Sequence, residues 1–171
     1  LVIWLIYLVG FRWRPATQAR LHSMSLMESV GRAKFDRTAK LVADDYEGFG
    51  FNKPDTLSMF KELRRFFLVL EFQPQEPIEV TVIDSKNVQF SAPIKWVGRG
   101  QPPAGMIVTE ANKLTSPFVF HWRRKGAAPW SWELIEISSE SAPDLRGYRP
   151  GQSSDFLDPV SYTHLTLPTR S

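Results

Sequence analysis

Near residue 77 the hydrophobic rhythm of the chain changes from a spacing of three and four residues to a spacing of two. The first spacing puts a stripe on a helix, and the second puts a face on a strand. Helices followed by strands predict an α+β domain, with N-terminal helices packed on one face of a curved antiparallel sheet.

In the helical half, Leu21, Met24, Met27, Val30 and Gly31 share one face of a helix expected over residues 19–32. Residues 12–20, with Pro15-Ala16-Thr17-Gln18, read as a linker before it. Asp36 is expected to cap a second short helix whose apolar side is Ala39, Leu41 and Val42. Asn52-Lys53-Pro54-Asp55 starts a third, since proline suits the first turn and Asp55 complements the positive helix end. Its stripe is Leu57, Phe60, Leu63, Phe67 and Leu70, with Lys61, Glu62, Arg64 and Arg65 outside. Phe60, Leu63 and Phe67 of this stripe are expected to meet Trp132 and Leu134 of the last strand on the concave side of the sheet.

In the strand half, Ile78, Val80 and Val82 form one strand, and Asp84-Ser85-Lys86-Asn87 a hairpin turn. A second strand runs from Val88 through Val97, with Pro93 implying an edge or a bulge. Residues 98–105 read as a loop and Met106-Ile107-Val108 as a short strand. Phe118, Phe120 and Trp122 alternate in one strand of a final hairpin, and Trp130, Trp132 and Leu134 in the other. Residues 139–159 are expected to be an irregular tail.

The two ends read differently. The apolar run 1–11 would span about 16 Å as a helix at ~1.5 Å per residue, roughly half a bilayer core. It is expected to be the C-terminal half of a truncated transmembrane helix. Trp4, Tyr7 and Trp13 with Arg12 and Arg14 look like the interfacial belt that ends a span. Residues 160–171 resemble a translated transposase sequencing adapter, so they are set aside as non-native, and His164 with them. On this reading the chain is a fragment of metagenomic origin.

Charge and composition exclude several classes. Lys and Arg total 21 against 18 Asp and Glu, a net charge of +3 that is too small to imply a nucleic-acid partner. The chain has no cysteine, which removes disulfides, zinc-thiolate sites and thiol nucleophiles.

Helix, short helix, helix and then antiparallel strands, with two particular segments, carry a resemblance. Asp36-Arg37-Thr38-Ala39-Lys40-Leu41-Val42-Ala43-Asp44-Asp45-Tyr46 resembles a second helix ending in an acidic-acidic-aromatic stretch. Phe118-Val119-Phe120-His121-Trp122-Arg123-Arg124 and Trp132-Glu133-Leu134-Ile135-Glu136-Ile137 resemble a closing hairpin. Together, over residues 21–138, they resemble the nuclear transport factor 2-like superfamily, which includes ketosteroid isomerase-like and polyketide cyclase-like proteins. The resemblance implies a cone (cystatin-like) fold whose wide mouth is a pocket or a dimer contact.

Four residues are candidates for such a pocket: Tyr46, Trp96, His121 and Trp132. Asp44 and Asp45 could join Tyr46 as an acid/base pair, or could simply cap and solvate a helix end. The isomerases' carboxylate, tyrosine and protonated aspartate have no matching positions here, so no catalytic residue is assigned. His22 and His121, without carboxylates at ligand spacing, make no metal site, and no cofactor is expected. Arg123-Arg124-Lys125 reads as a solvated hairpin end, and Gly98-Arg99-Gly100 is too short for a phosphate loop.

The expected function is a membrane-tethered, non-catalytic ligand-binding or assembly module; the alternative is a small-molecule isomerase, cyclase or dehydratase. A small-molecule ligand, a membrane contact through residues 1–11 and a homodimer through the sheet face are the expected partners. A bacterial single-pass membrane protein is expected. Arg12, Arg14 and Arg20 favour a cytoplasmic domain, but bacterial N-terminal anchors commonly present their domain outside, and the expectation leans that way.

Overall fold

A computed structural model describes Gly10 and residues 12–142. The adapter-like residues 160–171, most of the tail 139–159 and all but Gly10 of the apolar run 1–11 lie outside the described residues. Among those described, no helix is long and apolar enough to cross a membrane.

The first helix, α1 (Pro15–Gly31), begins inside the segment read as a linker, with proline in its first turn. Its inner face buries Ala19, Ser23, Leu26, Met27 and Val30. α2 (Phe35–Leu41) starts after Lys34, so Asp36 lies in the first turn rather than at the cap. A buried hydrogen bond of 2.8 Å between the hydroxyls of Ser29 and Thr38 ties α2 to α1. The short strands β1 (Glu47–Gly48) and β2 (Phe51–Asn52) form a hairpin. Asn52 then caps α3 (Lys53–Arg65) by accepting the Asp55 N–H at 3.0 Å.

The helix stripe expected to continue through Phe67 and Leu70 stops at Arg65. Residues Phe67–Pro74 form strand β3 instead. Leu70 and Phe72 are two apart, a spacing that shares a face only in a strand, and the run of aromatic, Leu and Val residues favours the strand as well. Arg64, expected to point outward, turns back. It donates to the carbonyls of Gly31 at 3.0 Å, Phe67, and Leu68 at 3.3 Å, so it caps both α1 and the start of β3.

β4 (Glu79–Val82) and β5 (Asn87–Ala92) form the expected hairpin, whose turn is closed by Asp84 Oδ1 accepting the Lys86 and Asn87 N–H groups. Pro93 does more than bulge a strand: it divides the predicted one in two. β5 stays in a four-stranded antiparallel sheet of order β4-β5-β7-β8, with β7 Phe118–Arg124 and β8 Trp132–Ser138. β6 (Ile94–Gly100) leaves it to pair with β3. Proline has no N–H for the ladder, so the chain can change partner there without losing a bond. The predicted loop at residues 98–105 is shorter than expected, because β6 runs to Gly100. Met106-Ile107-Val108 is not a strand but the middle of helix α4 (Ala104–Ala111), which follows Pro102-Pro103.

Two apolar clusters result. The larger joins α1 to the four-stranded sheet through Met27, Val88, Phe90, Trp122, Trp132 and Leu134, among others. The smaller gathers Phe67, Leu70 and Ala104, with Leu63, Trp96 and Ile107 against them. The expected contact of Leu63 and Phe67 with Trp132 and Leu134 is therefore absent: the two pairs belong to different clusters. The last strand also changes phase. A bulge between His121 and Trp122 puts Ile137, rather than Glu136, on the buried side with Trp132 and Leu134.

Candidate functional site

Between the two clusters lies a half-open cavity of about 490 Å³. This is within the ordinary size range of small-molecule pockets. Leu26, Met27 and Val30 of α1 form one wall, and Thr56, Met59, Phe60 and Leu63 of α3 another. Phe72, Ile94 and Trp96 of the β3–β6 pair, Met106, Ile107 and Ala111 of α4, and Phe120 and Ile137 of the large sheet complete it. The gap exists because Pro93 sends β6 to β3 and the chain returns through α4, so the small cluster closes beside the large one rather than onto it.

Its surface is almost wholly carbon. Among the described residues, the titratable groups on the wall are Tyr46 and Glu110. Glu110 is mostly exposed and pairs with Lys113 at 2.6 Å. Tyr46 is buried to 2% exposure, and its hydroxyl sits over Gly48, near the Ile137 backbone and the Thr56 side chain. Burial pushes the phenol pKa far above its ordinary value, against the smaller opposing effect of the Thr56 contact. Tyr46 therefore stays protonated at neutral pH and cannot serve as a base.

Of the four pocket candidates, Tyr46 and Trp96 line this cavity, while His121 and Trp132 do not. Trp96 packs edge-on against Phe72 at 4.8 Å, and its backbone N–H and C=O both bond to the Asn112 side chain, docking the end of α4 on β6. Its indole N–H is buried without a hydrogen bond, as is His121 Nε2. His121 pairs with Gln89 and Glu136 on neighbouring strands, between the inward-facing Phe120 and Trp122, so it belongs to the opposite face of the sheet. Trp132 is buried in the larger cluster and donates its indole N–H to the Pro129 carbonyl at 2.8 Å.

Asp44 and Asp45 are turned away from the cavity. Asp44 pairs with Lys53 at 2.8 Å, and Asp45 makes a two-pronged contact with Arg123, both bonds 2.8 Å. Arg123 also binds Glu133 at 2.7 Å. The hydrogen bond from Lys53 holds Asp44 below the usual carboxylate range, and the bond from Arg123 does the same for Asp45. Among the described residues, no group of three His, Cys, Asp or Glu could hold a metal ion.

Sequence reading missed the α3 and α4 walls. Phe60 and Leu63 read as core and Met106 and Ile107 as a strand, and Met59 was not singled out. The available signal was the apolar stripe of α3, which is expected from sequence to meet Trp132 and Leu134 and faces the cavity instead.

Comparison with known proteins shows the fold. The chain aligns with the "Putative Scytalone Dehydratase" of Novosphingobium aromaticivorans DSM 12444 at a TM-score of 0.58 and 10% identity, covering 86% of this chain and 97% of that one. It aligns with a "putative dehydratase from the NTF2-like family" of Streptomyces avermitilis at a TM-score of 0.55 and 14% identity, covering 71% and 92%. With Bd1075 of Bdellovibrio bacteriovorus the TM-score is 0.51 at 8% identity; 67% of this chain is covered but only 36% of Bd1075, so this chain spans about a third of that protein. The architecture is thus the nuclear transport factor 2-like cone. No protein-family model and no curated protein sequence matches the chain.

Proposed function

We propose that this chain is a membrane-tethered, non-catalytic binding module whose cavity takes up a small, uncharged, apolar molecule. The observation that carries the reading is the cavity itself: about 490 Å³ with walls of Leu, Met, Phe, Ile and Val carbon. A charged or strongly polar ligand would lose its hydration there and gain no partner in return. Three methionines, Met27, Met59 and Met106, line it, and flexible thioethers adapt to ligands of varied shape. Among the described residues the wall offers no acid/base pair: Tyr46 stays protonated, and Glu110 is engaged by Lys113. The tether is the reading of residues 1–11 as part of a membrane span.

A second reading, a dehydratase-type enzyme, is favoured by the names of two structural neighbours. On this reading Glu110 would be the base, released from Lys113 when substrate enters.

Titration of the full chain with N-phenyl-1-naphthylamine, a neutral dye that brightens in apolar cavities, tests the first reading. Saturation at about one dye per chain, with displacement by a long-chain alcohol that is recovered chemically unchanged, supports it. Unsaturable brightening contradicts it, and recovery of the alcohol as its dehydration product would favour the enzyme.

A further inference from the structure

Trp13 and Trp130 are far apart in sequence, yet their rings meet at 5.7 Å. Both stay open to solvent, at 42% and 56% exposure. The loop that carries Trp130 is tied to the domain through two of its carbonyls. The Trp130 carbonyl bonds His22 Nε2 at 3.1 Å, and the preceding Pro129 carbonyl accepts the Trp132 indole N–H at 2.8 Å. Keeping two large aromatic rings half in water is unfavourable unless something covers them. Leu21 and Met24 extend the exposed apolar surface along the outer side of α1.

The charge around this patch has one sign on the helix side. Arg12, Arg14 and Arg20 are exposed, and the first acidic residue of the chain is Glu28. On the hairpin side the acids Asp45 and Glu133 are already bound by Arg123. A second copy of the chain would bring these arginines against one another, which like-charge repulsion disfavours. An anionic surface with an apolar layer beneath it matches both the positive charge of this side and the exposed indoles, since tryptophan and arginine together prefer the headgroup level of a bilayer. The patch also sits where the apolar run 1–11 joins the domain.

We infer that the Trp13–Trp130 pair, with Arg12, Arg14 and Arg20, seats the domain on an anionic phospholipid surface. This rests on the proposed membrane attachment and adds an orientation to it. The end of the four-stranded sheet that carries the Lys125–Pro129 turn faces the bilayer. The other end of α1, some 25 Å away at about 1.5 Å per residue, faces water.

The chain has no cysteine, so single labels can be placed cleanly. The full chain carrying Ala127→Cys, in the turn beside Trp130, or Leu68→Cys, 77% exposed at the far end, is labelled with an NBD fluorophore and added to phosphatidylcholine vesicles containing phosphatidylglycerol. The expected result is a blue shift and quenching by lipid-borne spin labels at position 127 but not at 68. Replacing both tryptophans, Trp13→Ala with Trp130→Ala, should abolish that shift while the chain still sediments with the vesicles. A chain that sediments with the label at 127 remaining water-like overturns the inference alone, as would equal shifts at both positions. Equal shifts at 127 in vesicles lacking phosphatidylglycerol overturn the anionic preference. A chain that does not sediment at all overturns the membrane attachment, and this inference with it.

Discussion

The Trp122 indole N–H donates to Ser23 Oγ at 2.8 Å, joining β7 to α1 across 99 residues of sequence, with both side chains at 0% exposure. This bond fixes how α1 lies on the sheet, and therefore where Leu26, Met27 and Val30 stand along the cavity wall. Ser23→Ala leaves a buried donor unpaired and should cost about 1–3 kcal/mol. A denaturant titration measures it. If Trp122→Phe, which removes the donor, makes Ser23→Ala no less costly, the bond is not the cause.

Arg64 gives the second prediction. Because it donates to three carbonyls at the junction of α1, α3 and β3, Arg64→Ala should destabilise the domain by about 1.5–3 kcal/mol. Lys61→Ala, exposed on the same helix, should shift stability by less than about 0.5 kcal/mol. Equal midpoints for the two variants would show that the Arg64 bonds contribute nothing.

Much of the fold was legible because its signals are local. The Asn52 cap and the Asp84 turn each act within a few residues, as does the alternation of Phe118, Phe120 and Trp122. The spacing of Leu21, Met24 and Met27 marked a helix but not its inner face, since Leu21 and Met24 are exposed and Ala19, Ser23 and Leu26 are buried. What was not legible depends on partners distant in sequence. Pro93 announces an interruption, but only the pairing of Ile94 with Pro74 reveals that β6 joins another strand. Arg64 reads as surface until Gly31 and Phe67 are seen beside it. Tyr46 and Trp96 were singled out as large aromatics, which mark apolar interiors, and the structure places both on the cavity wall. His121 and Trp132 fit the same description, and the face each occupies follows from register, which a bulge at His121 shifts.

Two glycines separated by five positions should respond with opposite signs. A Cβ on Gly100 would collide with the Phe66 carbonyl oxygen and lie 2.8 Å from Phe67 Cα, both backbone atoms that cannot swing away. Gly100→Ala should therefore disrupt the end of the β3–β6 pair and lower the melting temperature. Around Gly105, in α4, nothing lies within 4 Å of the new carbon. Gly105→Ala should stabilise the protein by up to about 1 kcal/mol through helix propensity. Thermal melts of the two variants decide it.

His22 makes the fold sensitive to mild acid. Burial lowers its pKa, against the opposing effect of the Trp130 carbonyl. The folded chain thus takes up a proton less readily than the unfolded one, whose histidine titrates near 6.5. Its contribution is greatest above that pH and declines as pH falls through it. The His22 ring resonances should titrate with a midpoint below about 6.5. A midpoint above it would mean that the Trp130 bond, not burial, governs the site.

The central claim is that the gap between the two apolar clusters binds an apolar molecule. Ala111 lines that gap from α4, and Ala111→Trp would fill it without adding charge. The most direct measurement is saturable N-phenyl-1-naphthylamine binding to the full chain and to this variant, with a thermal melt of each to confirm folding. The account predicts saturable binding by the parent chain and at least about tenfold weaker binding by a folded Ala111→Trp variant, a difference of about 1.4 kcal/mol. Equal affinity in the two folded proteins, or no saturable binding by either, would contradict it.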